Sequence, residues 1–459
     1  MRSKKLIIIL AAAYLCFLPA LSAGDIIDEK ITLQEAIDYA LQHNQDIAKV
    51  RERVNEVEGM KKEAYADAMP QISTAFDTFR YRDPGILNSP NFQSLINDPE
   101  SSIPKEFIMP IPVTYYNYNL NVEQPIYSWG KMGITKEAAR IEFERTDLNI
   151  RSKEQEIAYN VAIAYYDLQL SFEQLRVLQK ARETQEKNLK IVSDKYDVET
   201  ASKLDLLKAK TTLANLIPHQ LAAENQIKIA MARLNYLMGR KIGELLTPAD
   251  NLEFSEKPAP FSLERLSAIA FKNRPNLAAI ESGNRFLEQQ IALEKTALRP
   301  KFNFFGDFGW SAIDTDNLGK KDYQAWRVGI GFKMTLFDGM RVSGKVMQVR
   351  SQILQNSLMK KYLENGISLD IERSLNDLKR AHESLDAALI AQEAANEALK
   401  VAQDNFDLNM ATQLDVLFSE SQVREAELNI AMAKRDCLAA MASLKYLTGL
   451  NVTENLPQE

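Results

Sequence analysis

Two stretches of the chain resemble each other and decide the fold. The first, ETASKLDLLKAKTTLANLIPHQLAAENQIKIAMARLNYLMG, covers residues 199–239, and the second, NMATQLDVLFSESQVREAELNIAMAKRDCLAAMASLKYLTG, covers residues 409–449. Aligned without a gap, they are identical at 12 of 41 positions. A repeat of this kind predicts an internal duplication, in which one fold is built from two similar halves.

The rest of the chain divides around these stretches. We expect a first repeat over residues 24–248, a linker over 249–260, a second repeat over 261–450 and a C-terminal tail over 451–459. Residues 1–23 have basic residues, an apolar run and a small-residue end at Ala23, which is the pattern of a secretory signal peptide. Cys16 lies inside that apolar run behind a bulky leucine, so lipidation is not expected. Removing the signal would leave Cys437 as the single cysteine, which excludes an intrachain disulfide.

The net charge of −6, with acidic and basic residues interspersed, predicts no basic surface for nucleic acid. Beyond the signal, no window has the ~20 continuous apolar residues of a membrane-spanning helix. Any entry into a membrane would therefore use strands. The three histidines lie far apart, and His382 falls on an apolar helical stripe where a packed histidine is the simpler interpretation. We find no motif for a metal site, a cofactor or an enzyme active site.

Each half opens with a helical pattern, from Thr32 to Pro70 and from Ser262 to Pro300, and we expect one helix there in each half. After each proline the period changes from 3.6 to 2. Alternation predicts strands at about residues 71–82, 113–124, 301–310 and 325–336, with aromatic residues on one face and Asn, Asp, Arg and Lys on the other. Such strands fit a soluble sheet with one buried face, or a membrane barrel wall. Four strands cannot close a barrel alone, so the membrane interpretation requires oligomerisation.

The remainder of each half is free of glycine and proline over long spans, residues 134–217 and 367–448, with apolar residues at heptad spacing. Long helices packed in a coiled-coil manner are expected, the first from about Lys131 to Lys195. Each must reverse near residues 198–203 and 408–413. Pro218 is expected to kink the first returning helix, and Leu428 takes its place in the second.

The two reversals carry matching motifs. Ser202 with Asp205, and Thr412 with Asp415, have the spacing of a capping box at the start of the returning helix.

Several short motifs occur along the chain in a fixed order, with counterparts in both halves. They resemble the motifs of the TolC-like outer-membrane efflux and secretion channels. The resemblance covers nearly the whole mature chain. The motifs that carry it are Thr32-Leu33-x-x-Ala36, Ala68-x-Pro70, Gln124-Pro125-Ile126-Tyr127, Leu204-Asp205-x-Leu207, Arg274-Pro275-Asn276-Leu277, Leu336-Phe337-Asp338-Gly339 and two terminal Leu-x-x-Gly. It implies a homotrimer with a twelve-stranded β-barrel in the outer membrane and an α-helical barrel in the periplasm. The partners it implies are a periplasmic adaptor protein, an inner-membrane transporter and outer-membrane lipid.

The resemblance also places Asp415 and Asp205 at the tip that closes the periplasmic end, as gate residues. The sequence departs from the family pattern at both turns. Glu199 and Asn409 occupy positions where the family usually has glycine. The alternative for both aspartates is a capping role alone. For the whole protein, the alternative is a periplasmic coiled-coil structural or adaptor protein without a membrane barrel.

Overall fold

A computed structural model of the chain describes residues 29–81, 112–254, 262–408 and 410–454. The expected signal peptide, residues 82–111, residues 255–260 of the expected linker, and Asn409 lie outside these residues. Within them the fold has eight α-helices, six strands and two short 3-10 turns. The helices are α1 (Leu33–His43), α2 (Gln45–Ala66), α3 (Lys131–Asp197), α4 (Lys203–Met238), α5 (Leu263–Asn273), α6 (Pro275–Lys295), α7 (Arg341–Asp407) and α8 (Gln413–Leu447).

The strands form two sheets. A small parallel pair joins β1 (Glu29–Ile31) to β4 (Leu246–Pro248). The larger sheet is antiparallel, in the order β2 (Gln71–Tyr81), β3 (Val113–Tyr127), β5 (Lys301–Ala312), β6 (Gln324–Lys333). The alternating patterns therefore predicted all four of its strands. The first long helix, of 67 residues, begins at the expected Lys131 and ends two residues after the expected Lys195. The second, also of 67 residues, ends close to its expected reversal, but its beginning at Arg341 was not predicted. None of the helices in the described part of the chain combines the length and apolar composition needed to span a bilayer.

The chain forms two compact units. Among the described residues, one contains 29–51, 149–254, 262–277, 362–408 and 410–454, and it holds the main apolar core. Leu168, Leu234 and Met238 are fully buried there. Tyr165 is also buried, and its hydroxyl donates to the carbonyl oxygen of Ile31, 3.0 Å away. The other unit contains residues 52–148 and 278–361, and it holds the whole four-stranded sheet.

The expectation of one opening helix in each half is wrong, because each segment is broken into two helices. In the first half the break is at Asn44, whose ψ of 129° is extended. The Asn44 side-chain oxygen accepts from the backbone N–H groups of Asp46 and Ile47, so it caps the next helix. In the second half the break is at Arg274, with ψ 119°, since a residue that precedes proline is disfavoured in the helical region.

A glycine at the end of each returning helix packs against these breaks. Gly239 has φ +77°, and a Cβ there would lie 2.5 Å from the carbonyl oxygen of His43. Gly449 has φ +75°, and a Cβ there would lie 3.0 Å from the carbonyl carbon of Asn273. Both positions combine a left-handed backbone with a close approach, so both require glycine. The two Leu-x-x-Gly motifs therefore lock each returning helix to the opening helices of its own half.

Candidate functional site

The four-stranded sheet has one strongly apolar face that is exposed in the single chain. Residues aligned across the strands share this face, such as Leu120, Phe308 and Trp326. On the outermost strand β6, Trp326 is 74% exposed and Ile330 is 69% exposed. A sheet face of this composition needs an apolar environment to cover it.

The opposite face of the sheet is polar, and its side chains bond across the strands. The Arg327 guanidinium lies 2.6 Å from the Asp307 carboxylate. The Asn303 amide donates to the Glu123 carboxylate at 2.8 Å. These pairs connect polar side chains of neighbouring strands on an exposed surface, as expected for a sheet face in contact with water. The sequence placed all four residues on the polar face, but it did not show which would pair.

An aromatic residue on the polar face was missed by the sequence analysis. Phe305 lies against Gly329 and Gly331 of the next strand, and a Cβ at Gly329 would be 2.8 Å from the Phe305 ring. The Arg327 guanidinium is 5.1 Å from the centre of the same ring. Gly329 and Gly331, two residues apart in β6, lie opposite the aromatic-rich strand β5. A pair of glycines in this position is the sequence signal that would have indicated this packing.

The two reversals of the long helices form the second candidate site, and both have complete capping boxes. The Ser202 hydroxyl accepts from the backbone N–H of Asp205, and the Asp205 carboxylate accepts from Ser202 in return. Thr412 and Asp415 make the same reciprocal bonds, with the Thr412 N–H and hydroxyl 2.8 and 2.7 Å from Asp415 Oδ2. The capping function of both aspartates is therefore present in the structure.

The hydrogen bonds have an electrostatic effect at Asp415. Donation from the Thr412 hydroxyl, and then from its backbone N–H, holds the pKa of the exposed Asp415 carboxyl below its ordinary value. The carboxylate form is therefore the one present at neutral pH.

The first turn contains a non-glycine residue in the left-handed region. Glu199 has φ +60°. The N–H groups of Thr200 and Ala201 donate to the carbonyl oxygen of Lys195 across this turn. The Lys195 ammonium lies 4.5 Å from the ring centre of Phe406, which is near the end of α7, so this contact brings the ends of the two long helices together. Asn409, its expected counterpart in the second turn, lies outside the described residues.

Apolar side chains surround both capped turns and are exposed in the single chain. Their exposed fractions are 60% for Leu204, 58% for Leu414, 62% for Phe418 and 77% for Met410. Exposed apolar side chains therefore lie next to the charged helix start at each of the two turns.

Comparisons with known proteins agree on the architecture. The chain is 19% identical to the outer membrane protein TolC of Vibrio cholerae, over 72% of this chain and 76% of that protein. It is 20% identical to the pyoverdine export outer membrane protein OpmQ of Pseudomonas putida, over 91% of this chain and 85% of that protein. Among solved structures, the CmeC outer membrane channel of Campylobacter jejuni aligns with a TM-score of 0.73 at 16% identity, covering 92% of this chain and 87% of CmeC.

A second solved structure, the open state of the MtrE outer membrane channel of Neisseria gonorrhoeae, aligns with a TM-score of 0.72 at 16% identity, covering 95% of this chain and 94% of MtrE. At the level of families, the model for outer membrane efflux proteins matches residues 36–240 and 266–450, which together are most of the chain. The two matched segments contain all eight helices of the described residues except the start of the first and of the fifth. This protein belongs to the outer membrane efflux protein family.

Proposed function

We propose that this protein is the outer-membrane exit duct of a tripartite efflux or type I secretion system and that it acts as a homotrimer. The duct conducts its substrates passively, without a catalytic step or a cofactor, and the inner-membrane transporter selects them. The observation that carries the proposal is the four-stranded sheet, with one exposed apolar face and one hydrogen-bonded polar face. The apolar face would contact outer-membrane lipid and the polar face would line the water-filled interior.

The edges of the sheet support an oligomer. In the described part of the chain, β2 and β6 each pair on one side only. Inside a bilayer, unpaired backbone groups cost several kcal/mol each, so the edges must pair with other chains. About eight strands are the minimum for a closed membrane barrel, so the four strands of one chain cannot close it. Three copies would supply the twelve strands that the family resemblance implies. The similarity between the two halves further supports an internal duplication.

Fractionation of cells that express the full chain tests this proposal. We expect the protein in the outer membrane, as an SDS-resistant trimer whose migration changes on heating. Recovery of a soluble periplasmic monomer would contradict the proposal and would favour the alternative of a coiled-coil adaptor without a barrel.

The apolar surface around the capped turns, defined by Leu204, Leu414, Phe418 and Met410, supports a periplasmic adaptor protein as the partner at this end. A photo-crosslinking residue at Leu414 should form an adduct with the adaptor in cells. Ile229, which is 62% exposed on α4 but distant in sequence from the turn, is the matched control position. Equal crosslinking from both positions would contradict this placement.

We further propose that Asp415 contributes to a ring of three carboxylates at the closed end of the trimer, which attracts cations. Asp415→Asn removes the charge and keeps an oxygen that can accept the capping bonds, so it separates the gate from the cap. The variant should conduct with weaker block by divalent cations in single-channel recordings. Asp205→Asn is the control in the first hairpin. Unchanged block in Asp415→Asn would leave Asp415 as a capping residue only.

A further inference from the structure

Two lysines face each other at the end of the four-stranded sheet that joins the helices. Lys301 is the first residue of β5 and Lys333 is the last residue of β6, and the two are paired directly across the strands. Residues paired in this way have Cβ atoms about 4.5–5.5 Å apart, and like charges there destabilise the sheet. Both lysines are exposed, and neither makes an ion pair or a side-chain hydrogen bond with another described residue.

The acidic side chains nearest to this pair on the polar face of the sheet already have partners. The Asp307 carboxylate, six residues along β5 from Lys301, lies 2.6 Å from the Arg327 guanidinium. The Glu123 carboxylate accepts a hydrogen bond from the Asn303 amide at 2.8 Å and keeps its charge. At this end of the polar face, each chain therefore has two lysines and one carboxylate, which leaves an excess of positive charge.

The charged groups of the adjoining connections do not remove this excess. Lys131 and Asp67 form an ion pair of their own at 2.6 Å. The Asp338 carboxylate, between β6 and α7, accepts hydrogen bonds from backbone N–H groups at the start of α7. Arg299, two residues before β5, adds a further positive charge at the same end of the sheet.

An anion would relieve the repulsion between the two ammonium groups. An ammonium group has three N–H donors, and a phosphate or carboxylate group has several acceptor oxygens. One anionic group can therefore accept hydrogen bonds from both lysines, and bonds between charged partners are the stronger ones. The paired lysines thus have the chemistry of an anion-binding site.

We propose that Lys301 and Lys333 form an anion site on the inner wall of the duct, and that this site attracts substrates with phosphate or carboxylate groups. The position on the inner wall rests on the proposed function, in which the polar face of the sheet lines the passage. Three copies would place six lysines at one level of that passage. Rings of charged side chains in a channel favour ions of the opposite sign.

The test compares two reagents that modify lysine by the same reaction, pyridoxal 5′-phosphate and pyridoxal. With both, the lysine nitrogen attacks the aldehyde carbon, water leaves to form an imine, and borohydride reduces the imine to a stable secondary amine. Only the first reagent carries a phosphate group, so the ratio of the two labelling rates measures the attraction of an anion and cancels differences in exposure. Peptide mass spectrometry of the full-length protein in detergent gives this ratio at each lysine.

Lys210 is the reference position, because it is exposed on α4 and has no acidic residue within four positions along the chain. We expect the ratio at Lys301 and Lys333 to exceed the ratio at Lys210 at least about threefold, since the second charge of the pair attracts the phosphate group. At constant ionic strength, inorganic pyrophosphate should slow the reaction of pyridoxal 5′-phosphate with the pair and leave its reaction with Lys210 unchanged.

Two variants separate the charge of the pair from the rest of the side chain. Lys301→Gln removes one charge and should lower the ratio at Lys333 to the ratio at Lys210. Lys301→Arg is the matched control, because it keeps the charge, and it should retain most of the wild-type ratio at Lys333.

Equal ratios at Lys333 and Lys210 in the wild-type protein would overturn the proposal, and this comparison does not depend on any variant folding. An unchanged ratio at Lys333 in Lys301→Gln would overturn it as well. Either result in a protein that still forms the SDS-resistant trimer leaves the proposed duct standing. Failure of the wild-type protein to form that trimer contradicts the duct itself.

Discussion

Gly309 lies in the centre of the sheet, and replacing it with alanine should strongly destabilise the pairing of the strands. It lies in β5 opposite Asn119 of β3 and Ala325 of β6. A Cβ at Gly309 would be 2.0 Å from the backbone carbonyl oxygen of Tyr118 and 2.6 Å from Oδ1 of Asn119. The closer of these atoms belongs to the backbone of the neighbouring strand, so a change of rotamer cannot relieve the overlap.

The Gly309→Ala variant should therefore displace β3 from β5. Overpacking of a well-packed site costs about 1–3 kcal/mol, and we expect the upper part of this range because backbone must move. Gly306→Ala is the matched control in the same strand. A Cβ at Gly306 would meet only the side chain of Phe304, at an ordinary contact distance of 3.9 Å.

The assay measures the temperature at which each variant loses its folded form. This loss is detected as the change in migration on SDS gels after heating. A cost near the upper limit should lower this temperature by about 5 °C or more for Gly309→Ala, and by less than about 2 °C for Gly306→Ala. Equal stability of the two variants would refute the reasoning. It would show that β3 and β5 are not paired in this register.

Two further predictions concern the helical part. Glu199→Gly should stabilise the α3–α4 turn relative to Glu199→Ala by about 0.5 kcal/mol, because glycine adopts φ +60° without the strain of a side chain but loses more backbone entropy. Hydrogen exchange at the amides of Thr200 and Ala201 measures this as roughly a twofold gain in protection, and no difference between the variants would contradict it. Glu420→Gln should stabilise the protein at neutral pH. Burial raises the pKa of Glu420 above its ordinary value of 4.5, although the Gln185 side chain donates a hydrogen bond to its carboxylate. The folded state therefore binds the proton more tightly than the unfolded state, and the wild type loses stability as pH rises from 4.5 through the folded pKa. Denaturation at several pH values should show the benefit of the variant above this window and not below it, and a benefit independent of pH would exclude this cause.

The helices and strands could be predicted because each type has a characteristic spacing of apolar residues in the sequence. Long spans without glycine or proline predicted the first 67-residue helix and the later part of the second, and alternation of aromatic and polar residues predicted the four strands. The capping boxes at Ser202 and Thr412 were also readable, since their bonds join residues only three apart. Local signals of this kind do not depend on the rest of the fold.

One local signal was overlooked. Asn44 is a good N-cap residue and Arg274 precedes a proline, so both breaks between the opening helices were marked in the sequence. The helical pattern up to the next proline was interpreted as one helix instead. A helical pattern therefore did not exclude a break, because a cap or a residue before proline can stop a helix within it.

The sequence by itself determined the elements, their apolar and polar faces, and the two capped turns, because each depends on residues a few positions apart. The tertiary structure decided which residues meet across long distances in the chain. It placed Gly239 against the His43 carbonyl and Arg327 beside the Asp307 carboxylate. The physical reason is that strand register and helix packing are set by the fit of many side chains together, and no short stretch of sequence contains that fit.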